Sequence, residues 1–443
     1  MLDVADAQLR TTEYPRVLFV TPNAFNHFTG GGITFSNLFR GWPKDCLATV
    51  HNDEVPTTDD VCDRYFVVGR AEMDLFAPLR VVRALVKRRA HAGGAENRGA
   101  TAPPGRGGIV ARLQGDSAPQ RVRLTVALDR WIADFRPELL YTILGSNAFM
   151  ALTAAIRRRF NLPMVVHMMD DFPTSNYRRG AFAPIERALM RRLLADNFRA
   201  ATARMGICAD MCTAFSQRYG HPFVPFQNCV DVERWRPLVR TGSAVVGSTV
   251  RLLYYGSVFA NAQLESLADL CRSVARLSEG GMPITFEIAA PAWQVAPYRG
   301  ALAIHKAISL VEPTEDDREY FAALAAADVL VLPVNYDAET VDYIRYSMPT
   351  KVPAYMASGT PILVYGPRGV AQADYAGRDG WGHVVSERDP QALDEALRRI
   401  LSDGALRETL RLRAQALASA NHDSVQVRTK FQEALKSAAR AGA

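Results

Sequence analysis

The sequence predicts an α/β protein of two doubly wound domains, each a parallel sheet sandwiched by helices, the two facing each other across a cleft. Three observations predict it. Short apolar runs rich in β-formers alternate with helical patterns in both halves, which implies parallel strands joined by crossover helices. The 443 residues exceed what one hydrophobic core normally organises. A non-periodic break, RPLVRTGSAVVGS from Arg236 to Ser248, precedes a new strand near the middle of the chain. With 48% hydrophobic and 22% charged residues the chain also reads as globular, against overall disorder.

In the first half, RVLFVT (Arg16–Thr21) is a strand, PNAFNHFTGGG a glycine loop and ITFSNLFRGW a helix. Further strands are expected at Cys46–Asn52, Tyr65–Gly69, Glu138–Gly145, Pro163–Met169 and Met205–Asp210. Residues from about 92 to 120 lack periodicity and are rich in Gly, Pro and Ala, which predicts a disordered insertion. The second half reads strand Arg251–Ser257, helix Gln263–Leu277, strands Ile284–Ala290 and Lys306–Glu312, and helix Asp316–Ala327. After these come strand DVLVLPV, helix Thr350–Ser358, strand PILVYG and helices from Pro390 onward. The expected division is 1–236, a linker at 237–250, 251–420, and a final helix at 421–443 crossing back to the first domain.

The polar, acidic start MLDVADAQLRTTEYPR does not resemble a secretory leader, and Phe321–Val334 is too short to span a bilayer, so a cytoplasmic protein is expected. Six scattered cysteines read as free thiols; Cys208 and Cys212 lack a second pair at metal-site spacing. No metal is expected. The net charge of +6 favours anionic partners. PLRVVRALVKRRAHA, Pro78–Ala92, sets Leu79, Val82, Leu85 and Val86 against Arg80, Arg83, Lys87, Arg88 and Arg89, a pattern for an anionic membrane surface or a plain surface helix. Nucleic acid is not expected, because the basic residues are not interleaved with aromatics on a recognisable module.

Doubly wound sheets bind ligands beyond the carboxyl ends of their strands. Gly30, Gly31 and Gly32 sit there, where backbone amides at a helix start suit an anion or form a flexible loop. His167, Asp170 and Asp171 close the strand PMVVHMM and can orient hydroxyls or act as acid and base; either aspartate can instead cap the helix after Pro173. In SMPTKVPAYMASGTPILVYG, Ser347, Thr350 and Lys351 offer hydroxyl, amide and ammonium donors to a diphosphate, or a cap and a solvated lysine. Asp337, Glu339 and Asp342 lie just upstream, as a substitute carboxylate or a solvated acidic loop.

QNCVDVERWRP, Gln227–Pro237, resembles the NGVDxxxF segment of GT-B glycosyltransferases, particularly glycosyltransferase family 4, with Cys229 for the glycine and Trp235 for the phenylalanine. The first strand with its GG loop resembles that family's start, and RLLYYGSV its donor-domain opening strand, which puts Gly256 and Ser257 at the donor. AAADVLVLPV resembles the strand leading into the nucleotide site, and AYMASGTPILV, with Tyr355, the EAMAxGxPVV segment. The family's two glutamates are replaced here by Tyr346 and Ala354.

The resemblance implies a retaining, metal-independent transferase with a nucleotide-sugar as donor substrate and no other cofactor. Its acceptor would be a glycan or lipid-linked molecule in bacterial surface polysaccharide or glycoconjugate synthesis, at the inner face of the membrane. On this reading Gly30, Gly31, Gly32, Gly256, Ser257, Ser347, Thr350, Lys351 and Tyr355 bind the donor, and His167, Asp170, Asp171 and Lys351 are catalytic. Two alternatives stand beside this reading: a GT-B type sugar-nucleotide epimerase, which keeps the fold and changes the chemistry, and a non-catalytic GT-B-like binding subunit, which the replaced glutamates at Tyr346 and Ala354 favour.

Overall fold

A computed structural model describes residues 14–75, 119–242 and 249–442. The basic helix expected at Pro78–Ala92 and nearly all of the insertion lie outside them. The first domain carries β1 (Val17–Val20), β2 (Leu47–His51) and β3 (Tyr65–Val67). A two-stranded antiparallel ribbon follows, β4 (Met73–Leu75) with β5 (Gln120–Val122), and then β6 (Leu139–Thr142), β7 (Met164–Met168), β8 (Ala203–Gly206) and β9 (Val224–Pro225). Seven of these form one parallel sheet in the order β3-β2-β1-β6-β7-β8-β9. The second domain carries β10 (Val250–Tyr255), β11 (Ile284–Ala289), β12 (Ile308–Val311), β13 (Val329–Pro333), β14 (Ile362–Tyr365) and β15 (His383–Val385). Their order is β12-β11-β10-β13-β14-β15, again parallel.

Both domains are therefore doubly wound α/β layers. The strand order reverses between β1 and β6 in the first sheet and between β10 and β13 in the second. A crevice opens at such reversals because consecutive crossovers leave to opposite faces. Strand alternation sends Leu18 and Val20 to one face of the first sheet and Val17 and Phe19 to the other, and both faces are covered, as a parallel sheet requires. Helices begin where the sequence supplies a side-chain acceptor: Thr29, Thr125, Ser146, Asp316 and Asp389 each accept from an amide of the following first turn.

The sequence pattern misses β9, a two-residue edge strand, and the helix Ala371–Asp379 with β15 after it. It also places β8 about two residues late, because MGICAD is the more apolar stretch while the ladder to β7 pairs Ala203 with Val165. After the helices Pro390–Ser402 and Gly404–Leu417 the chain passes a short π-helical turn, Ala418–His422. It then sends the helix Ser424–Ala441 back onto the first sheet, where Phe431 packs edge-on against Phe39 and Tyr141. Val230, leaving the first domain, is bridged in parallel to Asp423, so the two crossings between domains run side by side.

Candidate functional site

The loop after β1 is organised by Asn26, which is fully buried; its Oδ1 accepts from Phe28 N, Thr29 N and Thr29 Oγ1. Thr29 in turn caps the helix Gly30–Phe39, accepting from Gly32 N at 3.1 Å. The first-turn amides of a helix have no intrahelical acceptor. Thr29 takes that of Gly32, which leaves those of Gly30 and Gly31 at the opening between the domains. A Cβ on Gly32 would stand 2.4 Å from the Asn26 amide, so only glycine fits beneath that turn. A Cβ on Gly30 would meet Thr350 of the second domain at 3.5 Å, an ordinary contact.

Opposite it lies the segment from Tyr346 to Lys351. Asn228 Nδ2 donates to Thr350 O at 2.7 Å, and Asn37 donates to Asn228 Oδ1 at 2.9 Å, linking the glycine helix to the second domain. Ser347 Oγ donates to Asp170 Oδ1, and Cys208 Sγ donates to Tyr346 O. Burial raises the Asp170 pKa above the ordinary carboxylate range and the neighbouring Asp171 adds to it, against the Ser347 hydrogen bond. The Asp170 charge, with burial, also pushes up the phenol of Tyr343.

Lys351 projects to the carboxyl end of β10. Its Nζ lies 4.0 Å from the Tyr254 ring centroid and donates to Tyr254 Oη at 2.9 Å, and that hydroxyl donates to Ser257 O. Gly256 makes room for it: a Cβ there would fall 2.5 Å from Nζ, and the residue's φ of +142° also favours glycine. Burial lowers the Lys351 pKa to about 7, so the ammonium is poorly compensated until an anion arrives.

The structure thus brings Gly30, Gly31, Asp170, Ser347, Thr350, Lys351, Gly256 and Ser257 to the region where the domains meet. Gly32 is buried in the same turn with its amide taken by Thr29, and three other expected site residues are placed elsewhere. His167 is fully buried, its Nδ1 paired with Tyr141 Oη at 2.6 Å and its Nε2 with Phe226 O at 2.9 Å. Alternation along β7 turns it under the last helix, away from the opening, and burial lowers its pKa to about 4. Asp171 is buried in a two-pronged pair with Arg218, at 2.7 and 2.9 Å, and makes no cap bond. Tyr355 is fully buried and turned to the β10 backbone, accepting from Tyr255 N at 2.8 Å and donating to Tyr255 O at 3.2 Å. These three hold the site up rather than line it.

The acidic residues upstream are engaged too. Asp337 caps the helix Ala338–Ile344, Glu339 pairs with Arg179 at 2.8 Å and Asp342 with Arg178 at 2.8 Å, both across the domain boundary. Tyr346 packs edge-on against Phe215, and Ala354 lies half-buried in the short helix Val352–Ala357. Sequence reasoning missed Tyr254, Asn228, Arg178 and Arg218. Each reaches the site through a partner far away in the chain, Lys351 for Tyr254, Thr350 for Asn228, Asp342 for Arg178 and Asp171 for Arg218, and the adjacent Arg178 and Arg179 were the one local signal. No helix among the described residues is long and apolar enough to cross a membrane.

Residues 249–403 match the family described as glycosyl transferases group 1. The whole fold is similar to sucrose-phosphate synthase from Thermosynechococcus elongatus, at 12% identity and a TM-score of 0.62, covering 96% of this chain and 99% of that one. It is similar also to Anabaena HepE in complex with UDP-glucose, at 13% and 0.58, covering 96% and 100%. A third likeness is to a UDP-forming α,α-trehalose-phosphate synthase from Burkholderia xenovorans in complex with glucose-6-phosphate, at 12% and 0.59, covering 95% and 100%. No curated protein sequence matches significantly. At such identities the structural likeness is one of fold.

Proposed function

We propose, from the premise that this chain belongs to the group 1 glycosyltransferases and has their two-domain GT-B fold, that it moves a sugar from a nucleotide diphosphate to an acceptor held by its first domain. The observation that carries this reading is Lys351, half-buried against Gly256 at the strand-order reversal of the second sheet. A leaving diphosphate develops negative charge, and a fixed cation in a partly desolvated site stabilises it more than water does. Ser347, Thr350 and the amides of Gly30 and Gly31 add donors around the same place. Asp170, opposite Ser347, is the carboxylate positioned to contact the sugar or the acceptor hydroxyl.

The finer reading is a retaining transfer that needs no metal, to a glycan or lipid-linked acceptor of bacterial surface polysaccharide or glycoconjugate synthesis, on the cytoplasmic side and in peripheral contact with an anionic membrane. The UDP-glucose bound to HepE and the glucose-6-phosphate bound to the trehalose-phosphate synthase support a UDP-sugar donor and a small polar acceptor group. A thermal-shift screen over UDP-, GDP-, ADP- and TDP-sugars identifies the donor, because bound ligand raises apparent stability. With that donor, Lys351→Ala is expected to lose turnover by two orders of magnitude or more while remaining folded. Near-native turnover would remove Lys351 from this role. Activity in the presence of chelator, and the anomeric configuration of the product by NMR, test the remaining points.

A further inference from the structure

The helix Ala183–Ala200 of the first domain joins β7 to β8. Its inner face is settled. Met190, Leu194 and Phe198 pack in the core, and Asn147 Nδ2 donates to Glu186 Oε2 at 2.6 Å and to Glu186 O at 2.9 Å. Glu186 is the one carboxylate in the first three turns, and it is thereby held inward and buried. The outer face of the first two turns is apolar. Pro184, Ile185, Ala188 and Leu189 are all exposed, Ile185 at 64% and Leu189 at 40%. Ile185 and Leu189, four positions apart, stand one above the other on the helix. Exposed Ala181 and half-buried Phe182 precede them in the chain.

Basic residues follow this patch. Arg191, Arg192 and Arg199 are exposed and Arg187 is half-buried, against Asp196 as the only exposed carboxylate of the helix. Asp196 is itself divided between Arg192, at 3.9 Å, and Arg199, at 3.1 Å. Before the patch comes the turn of Arg178 and Arg179, which pair with Asp342 and Glu339 of the second domain. The patch therefore begins within a few residues of the domain boundary, on the segment that leaves Asp170 and the opening.

We infer that this outer face is the surface by which the protein docks on an anionic lipid bilayer, Ile185 and Leu189 entering the boundary between headgroups and acyl chains while Arg187, Arg191 and Arg192 contact lipid phosphates. The inference rests on the proposed contact with an anionic membrane and adds which surface makes it. Charge and shape single out a bilayer. An exposed patch of branched apolar side chains gains by leaving water, and a sheet of phosphates over an apolar layer accepts such side chains at the centre and guanidinium groups around them. A second copy of this chain is a poorer partner. A twofold contact through the same face sets its arginines against their own copies, with Asp196 alone to offset them. Docked on this face, the opening at Asp170 and Ser347 lies close to the lipid surface, and an acceptor carried on a lipid reaches it without leaving the bilayer.

Flotation of the full chain with vesicles of phosphatidylcholine alone, and of phosphatidylcholine with phosphatidylglycerol, tests this. Wild type is expected to float with the mixed vesicles, to stay behind with the neutral ones, and to be released as salt is raised. Ile185→Ser/Leu189→Ser is expected to lose about tenfold or more in partitioning, with thermal melts unchanged because both side chains are exposed. Arg191→Glu/Arg192→Glu is expected to lose as much, and Arg191→Lys/Arg192→Lys to retain most of the binding. Val126→Ser, at a similarly exposed valine on another helix, is expected to bind as wild type. Wild type that binds neither vesicle removes the membrane reading itself. Wild type that binds, with Ile185→Ser/Leu189→Ser unchanged, overturns this surface alone and leaves the contact to another part of the chain, such as Pro78–Ala92. Equal binding to neutral vesicles also overturns it, because the arginines would then play no part. A dimer in sedimentation that the serine variant dissociates, without vesicle binding, overturns it in favour of a contact between copies.

Discussion

Lys351 and His167 show how one physical term, burial, divides residues of similar promise. Lys351 is depressed to about 7 beside a half-open crevice, so a bound anion restores its charge. Donor affinity should therefore be greatest below pH 7 and fall as pH rises through that value, and Lys351→Arg should flatten the profile in calorimetric titrations. The stability linkage has the corresponding sign. The unfolded chain keeps its lysine proton to about pH 10.4 while the folded chain releases it near 7, so folding stability contributed by this group rises with pH between those values. His167 is depressed to about 4 by full burial and holds the Tyr141 hydroxyl and the Phe226 carbonyl. The unfolded chain binds its proton from about pH 6.5 downward, so stability drops on acidification from 6.5 to 4. His167→Ala is expected to cost about 2–4 kcal/mol in denaturant unfolding, from the cavity and the stranded hydroxyl. An unchanged unfolding midpoint would show that His167 is not a structural anchor. Which of two neighbours on a strand faces the core is set by register, and so the HMMDD run could announce a strand end without revealing that His167 turns inward while Asp170 reaches the crevice. Tyr355 eluded the sequence for the same reason. Its helix pattern is legible, but its partner, the β10 backbone, lies a hundred residues away.

At the scale of elements the glycine-led helix carries a sharp contrast. Gly32→Ala must displace Asn26, which orders the entire turn, and should cost about 1–3 kcal/mol in stability while weakening donor binding. Gly30→Ala meets only Thr350 at contact distance and should fold as wild type. Parallel thermal melts of the two variants check the pair; equal midpoints would mean the Asn26 turn is more yielding than its packing indicates. Strands β1, β13 and β14 were legible because each is an uninterrupted apolar run, buried on both faces. Two short edge elements were not, although the three-residue edge strand β3 was. β9 has two residues and β15 three, and both owe their existence to a neighbouring strand rather than to their own composition.

The two domains of the whole molecule meet through polar contacts as well as packing: Ser347 with Asp170, Asn228 with Thr350, and the pairs Arg178–Asp342, Arg179–Glu339 and Arg378–Asp210. Partly exposed ion pairs contribute little each and weaken with salt. Raising ionic strength should therefore widen the separation between domains, seen as a larger radius of gyration in solution scattering, with a smaller response in Arg178→Ala. A radius independent of salt would assign closure to the apolar contacts instead. The helix Ser424–Ala441 has a different reach. Phe431 and Leu435 complete the apolar layer against Phe39, Tyr141 and Phe226, although they are made after the whole second domain. On the ribosome the first domain must wait, with that layer open, while nearly two hundred further residues are translated. The order of synthesis, not the order of strands, thus decides when its core is sealed, and until then that apolar surface stays exposed.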